Sequence, residues 1–146
     1  MGRLKVLKAK RFCVNNALML MYAFRTAPLG TLEMHASVTV KDGTKTIPRW
    51  VFRESKCRVV NIPASVRFVG NSFMNYCKNI ADIYVHWSAE ELNSIVFEQS
   101  QFPYNVKEYF FNGLIYSNIT IHVPQGTVDK YKAHQVWGLI PNITDN

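Results

Sequence analysis

Four histidines, three cysteines and two Asn-x-Thr triplets are the residues here whose types could do chemistry. His35, His86, His122 and His134 raise the question of a metal. Zinc bonds imidazole nitrogen at about 2 Å, so shared ligands must converge on one point. His35 and His86 each follow an apolar extended segment at the same position. If every successive segment adds one strand spacing, these two lie about 10 Å apart. That separation argues against a common ion, so no metal and no cofactor is expected.

Cys57 and Cys77 are 20 residues apart in a chain with no C-x-x-C pair. Three cysteines fit neither a disulfide framework nor a zinc site. A bridge would need Cα atoms within about 7 Å. In the register developed below, Cys57 takes an apolar core position and Cys77 falls in the turn before its strand. Both are expected to be free, buried and packed as small apolar residues. A catalytic nucleophile would need a neighbouring base and an orienting acid. No G-x-S-x-G or comparable motif is present, so the chain is not read as an enzyme. Asn118-Ile119-Thr120 and Asn142-Ile143-Thr144 fit a glycosylation triplet. The first lies in a predicted strand, and both are read as chance.

The formal charge is +7 over 146 residues. Six of the 17 basic residues (Arg3, Lys5, Lys8, Lys10, Arg11, Arg25) precede Glu33, and no acid does. The other 11 face all 10 acids, a net of +1. No basic stripe is left to neutralise phosphates, which argues against nucleic acid. Aromatics at 13% and charged residues at 18% mark a globular chain of about one domain. No apolar run reaches the roughly 20 residues of a membrane span.

The elements that position these residues follow from internal repetition. Leu29-x-x-Leu32-x-Met34, Cys57-x-x-Val60-x-Ile62 and Ile80-x-x-Ile83-x-Val85 each place apolar residues at i, i+3 and i+5. The first two align at an offset of 28, with Phe24-Arg25 on Phe52-Arg53 and Ala36-Ser37-Val38 on Ala64-Ser65-Val66. The third follows at 23. Positions i+3 and i+5 share one face of a strand, and position i enters from the bend before it. Phe24, Phe52 and Phe73 precede the strands and would fill the opposite side. Units this small cannot bury an apolar face alone and must stack, which is the pattern of a leucine-rich-repeat solenoid.

Residues 1–16 read as a basic leader or a degenerate signal. The basic stretch at 3–11 and apolar run at 17–24 suggest export. Asn15-Asn16 interrupts that pattern, no small-x-small cleavage site follows, and the repeat claims Phe24. The repeat domain then covers 17–146. Its strands are predicted at 31–34, 59–62, 82–85 and 119–123. Asp42-Gly43 marks a tight turn. Ile47-Pro48 opens an extended stretch. An irregular excursion fills 88–109, opening with a capping box on Ser88 and Glu91. Pro124 ends the last predicted strand, and residues 124–146 form a cap with a helix over 125–137, Tyr131 and Trp137 lying on the final rung.

Residues 61–77, Asn-Ile-Pro-Ala-Ser-Val-Arg-Phe-Val-Gly-Asn-Ser-Phe-Met-Asn-Tyr-Cys, resemble the BspA-like bacterial leucine-rich repeat, roughly "IP-x-SV-x-x-IG-x-x-AF-x-x-C". Val123-Pro124-Gln125-Gly126-Thr127, with Tyr131 and Trp137, resembles that family's "VP-x-G-T…Y…W" ending. Ser72 departs from the family's alanine. The resemblance covers about 24–87 and 110–143. It implies a secreted or surface-attached bacterial protein linked to adhesion, with no shared catalytic residues.

The expected architecture is therefore mainly β: a parallel strand ladder with short helices and a C-terminal capping helix. Its best functional surface is the concave solvent face of the strands. One outward row is Thr31, Val59, Asp82 and Thr120; the next is Glu33, Asn61, Tyr84 and His122, with His86 and Trp87 at the edge. Candidate ligand-binding residues are thus Asn61, Asp82, Tyr84, His86, Trp87 and His122. The expected partner is a protein or a glycan. The rival expectation is a structural repeat fragment with no ligand of its own.

Overall fold

The computed structural model describes residues 11–14, 37–99 and 110–146. Among these, nine strands form two parallel sheets. The strands are β1 (Arg11–Val14), β2 (Ser37–Val40), β3 (Thr46–Ile47), β4 (Val59–Ile62), β5 (Phe68–Val69), β6 (Asp82–Val85), β7 (Val96–Phe97), β8 (Thr120–Val123) and β9 (Asn142–Asp145). The larger sheet runs β1-β2-β4-β6-β8-β9 and the smaller β3-β5-β7. Two short helices follow β6 and β8: α1 (Ala89–Leu92) and α2 (Val128–Ala133).

The large sheet forms because its strands alternate. In β2, β4, β6 and β8 the second and fourth residues are buried while the first and third stay partly open. The buried residues are all Val or Ile, whose branched Cβ suits a pleated surface. Val38, Val60, Ile83, Ile121 and Ile143 pair across in register and form one core row. Each contributes roughly 1.5–3 kcal/mol relative to exposure.

The small sheet adds Ile47, Val69 and Phe97 to the same core. At the bends a third set of backbone bonds joins successive turns. Phe52 N donates to Phe73 O at 2.8 Å, and Tyr76 N to Asn112 O at 2.8 Å. Phe52, Phe73, Phe110 and Phe111 are buried there, with ring centroids 6.0–6.4 Å from Phe73. Gly70 lies where two turns touch. A Cβ on it would stand 2.3 Å from Arg49 N and 2.6 Å from the Pro48 carbonyl carbon. That spacing leaves no room for a side chain, which is why glycine occupies the bend.

Several expectations need correction. The neighbour of Val60 is Val38, at an offset of 22, so the preceding strand is β2 and the alignment at 28 is wrong. Ser37-Val38-Thr39-Val40 has the alternation but no apolar residue at position i, so it lacks the i, i+3, i+5 signature of the other strands. Leu29, Leu32, Met34, Phe24 and His35 lie outside the described residues. Arg11–Val14, within the stretch read as a leader, pairs with β2 along the edge of the sheet. The excursion at 88–109 is not wholly irregular, because β7 continues the small ladder beside β5.

The cap differs too. The helix spans only Val128–Ala133, and His134 turns extended, its Nδ1 accepting from Val136 N at 3.1 Å. A short 3-10 turn covers Trp137–Leu139. Asn142–Asp145 then pairs with β8, so β8 is not the last strand. Only Ile143 is buried in β9, too little alternation to read from sequence. Trp137 and Tyr131, expected on the final rung, take core positions. Both are buried, and Trp137 packs on Phe73, Phe97, Phe111 and Trp87. The capping box on Ser88 and Glu91 is present as expected.

Two outcomes follow from this packing. Trp137→Ala should lower stability by about 3–5 kcal/mol, read by urea denaturation, because it empties a fully buried indole site. A loss below about 1 kcal/mol would show that the tail does not cover the core. The second concerns Glu98, which accepts from Arg49 Nε at 2.7 and 2.8 Å and from Asn71 N at 3.1 Å. The Arg49 hydrogen bonds, ahead of its charge, hold the Glu98 carboxyl below its usual value of 4.5. A lowered folded value means stability that is present above the unfolded value and lost as pH falls through the folded one. The Tm gap between the parent and Glu98→Gln should therefore be open at pH 7 and narrow below about pH 4. A pH-independent gap would refute this role.

Candidate functional site

The outward face of the large sheet carries the polar residues. Because strands pair in register, outward positions fall into rows. One row runs Ser37, Val59, Asp82, Thr120 and Asn142; the next runs Thr39, Asn61, Tyr84, His122 and Thr144. Ser37 and Thr39 therefore take the places expected for Thr31 and Glu33, which lie outside the described residues.

Tyr84 and His122 are direct neighbours on β6 and β8. Their rings are stacked, with centroids 4.2 Å apart and planes 8° from parallel. That distance is slightly under the strand spacing of about 4.8 Å, so the rings stand upright beside each other. His122 Nε2 lies 2.7 Å from Asp82 Oδ1. The carboxylate comes from the row behind and fixes the imidazole in the stack. The His122 side chain keeps 19% of its exposure and Asp82 38%. An ordered aromatic pair tied to a carboxylate thus faces solvent on a rigid sheet.

On the β2 side of this pair the face opens into a depression of about 600 Å³. Ser37, Thr39, Asn61, Tyr84, His86 and Asp42 line it, together with the apolar Val40, Val59 and Pro63. Of the six residues expected to bind, the structure brings Asn61, Tyr84 and His86 to the depression and places His122 and Asp82 directly behind Tyr84. Trp87 is corrected. It is fully buried, its Nε1 donates to Val66 O at 2.9 Å, and it packs on Phe97 and Trp137. The burial alternation of β6 continues past Val85, with His86 exposed and Trp87 buried, so the indole points to the core side. Sequence reasoning missed Ser37 and Thr39 because it misplaced the preceding strand.

The other chemistry-bearing residues lie elsewhere. Cys57 and Cys77 are buried and free, as expected. Burial pushes the Cys57 thiol up to about 11 and Cys77 well above its ordinary value. The Cys77 Sγ donates to Phe52 O. A thiol held protonated is a poor nucleophile and a poor metal ligand. His134 packs against Phe97, and burial lowers its pKa. No cluster of three or more His, Cys, Asp or Glu able to hold a metal occurs among the described residues. No helix among them is long and apolar enough to cross a membrane.

No protein-family model, curated protein or solved structure matches the chain.

Alkylation tests the reading of the cysteines. In native protein at pH 8, iodoacetamide should leave the peptides holding Cys57 and Cys77 unmodified. In strong urea both should be alkylated fully. Native labelling of either at a rate near that of a free thiol would contradict their burial.

Proposed function

We propose that the chain is a leucine-rich-repeat solenoid of the BspA-like kind, placed outside the cell or on its surface, that works as a non-catalytic binding module for adhesion or interaction. The solenoid reading is supported by the pairing of strands in parallel and in chain order, at offsets of 22 between Val38 and Val60 and 23 between Val60 and Ile83. It is supported too by the resembling segment, whose Ile62, Gly70, Phe73 and Cys77 are all buried.

The observation that carries the binding role is the Tyr84–His122 stack with its Asp82 tie. Outward positions of a strand contribute little to the core, so their side chains need no mutual order for folding. Here two rings and a carboxylate are nonetheless held in one geometry beside an open depression. A rigid aromatic with a polar tip, already ordered, loses little entropy on binding and suits recognition.

The test is binding of the full chain to arrays of purified surface proteins and of glycans, with Tyr84→Ala and Asn61→Ala alongside. Val96→Ser serves as the control, since Val96 is exposed on the small sheet. At least one ligand should bind, and Tyr84→Ala should weaken it about tenfold or more with Tm nearly unchanged. Binding that survives both face variants but falls with Val96→Ser would put the site on the other sheet and sink the proposal.

A further inference from the structure

We propose that the ligand of this face is a neutral saccharide, one ring of which lies in the depression against the open face of Tyr84. This rests on the binding-module reading above and narrows its ligand. The rings of Tyr84 and His122 are 8° from parallel and stacked across neighbouring strands. One face of Tyr84 is therefore covered by His122. The other looks along the row toward Asn61 and Thr39, the next two strands over. Two strand spacings separate Tyr84 from Thr39, roughly 9.5 Å between Cα positions. Asn61 stands between them with a short side chain. The interval leaves about one sugar ring of room above that carboxamide.

The chemistry of the lining selects the class. A pyranose has a C–H-rich face that packs flat on an aromatic ring and a rim of hydroxyls that both donate and accept hydrogen bonds. Tyr84 supplies the flat wall. The Ser37 and Thr39 hydroxyls, the Asn61 carboxamide and the His86 imidazole surround it with groups able to donate and accept. A protein anchor would instead need a desolvated apolar pocket for a large side chain. Here hydroxyl, amide and imidazole groups are interleaved with the apolar Val40, Val59 and Pro63, a mixed lining that matches a ring carrying both C–H and hydroxyl surface. Asp42, an acid lining the depression, opposes an anionic sugar. Asp82 does not reach this ring; it is a positioning residue that keeps His122 upright behind Tyr84.

The experiment is calorimetric titration of the full chain with neutral tetrasaccharides, namely β-1,4-glucose, α-1,4-glucose, β-1,4-N-acetylglucosamine and α-mannose chains, and with sialyllactose as the anionic arm. At least one neutral tetrasaccharide should bind at about millimolar strength or tighter, and more tightly than sialyllactose. Tyr84→Ala should weaken it about tenfold, whereas Tyr84→Phe should stay within about threefold because the ring face is kept. Should Tyr84→Ala fail to fold, Asn61→Ala and Thr39→Val carry the test, each with a clear loss expected. The proposal is overturned if no neutral tetrasaccharide binds, if sialyllactose binds better, or if binding ignores the face variants. A protein ligand on the array that depends on Tyr84, with no saccharide binding, defeats this inference and leaves the module reading standing. No ligand of either kind bound through this face defeats both.

Discussion

Among the described residues, the backbone hydrogen bonds that pass from one strand and bend to those in the next fix the register on which the rest depends. The handover occurs in three places: the large sheet, the small sheet and the bends. At the bends Phe52 N bonds Phe73 O, Glu54 N bonds Asn75 O, and Tyr76 N bonds Asn112 O. A buried N–H left without a partner costs about 1–3 kcal/mol, so slippage by one residue is expensive at all three. It would also turn the core row of Val38, Val60, Ile83 and Ile121 outward. Extra residues are therefore excluded from the strands. Offsets of 22 and 23 lengthen to 38 between Ile83 and Ile121 and fall back to 22 between Ile121 and Ile143.

The same register explains the backbone geometry. Trp50, Glu54, Ser72 and Tyr76 have φ between 56° and 62°, in the left-handed region. Trp50 and Ser72 are 22 residues apart, as are Glu54 and Tyr76, matching the strand offset. Tyr76 N bonds Asn112 O just as Glu54 N bonds Asn75 O, which places Gly113 (φ 76°) as the next member of the second series. A left-handed non-glycine residue costs on the order of 1–3 kcal/mol. The sequence accepts that cost at Glu54 and Tyr76 because the bend must reverse the chain in few residues. At Gly113 a second reason applies. A Cβ there would lie 2.4 Å from the Tyr76 ring, so the glycine lets the ring of one turn lie over the backbone of the next.

Much of this was readable in the sequence where two signals agreed. The strands β4, β6 and β8 combine alternation with a bend signal: Cys57 before Val60, Ile80 before Ile83, and Pro124 after Val123. Where only one signal existed, the reading failed. β2 has alternation without an apolar residue at the bend position, whereas the 31–34 segment carries the full i, i+3, i+5 pattern. β9 has a single core residue, Ile143. Trp87 was expected at the outward edge beside His86, yet the alternation of β6 carries on beyond Val85 and puts His86 out and Trp87 in. The ring stack itself was not readable. Tyr84 and His122 could be placed in one row, but adjacency in a row does not dictate that two rings stand parallel. The tie from Asp82 to His122 crosses from one row to the other and has no sequence period to announce it.

That cross-row tie bears on how such a face acquires a site at all. Core positions are constrained by volume, and bend positions by φ and by close approach, as at Gly70. Outward strand positions escape both constraints, so they are where chemistry can vary without cost to the fold. Their spacing is fixed by backbone hydrogen bonds rather than by the side chains. Rings on adjacent strands consequently meet at near van der Waals separation, as the 4.2 Å stack does, while positions two strands apart leave a gap of about 9.5 Å. A filled interval next to an empty one is thus a natural product of a parallel ladder. Tyr84 sits at the boundary between the two, one face held by His122 and the other turned to the depression. Residues 37, 61, 84 and 122, distant in sequence, become one surface because the ladder sets them in adjacent columns.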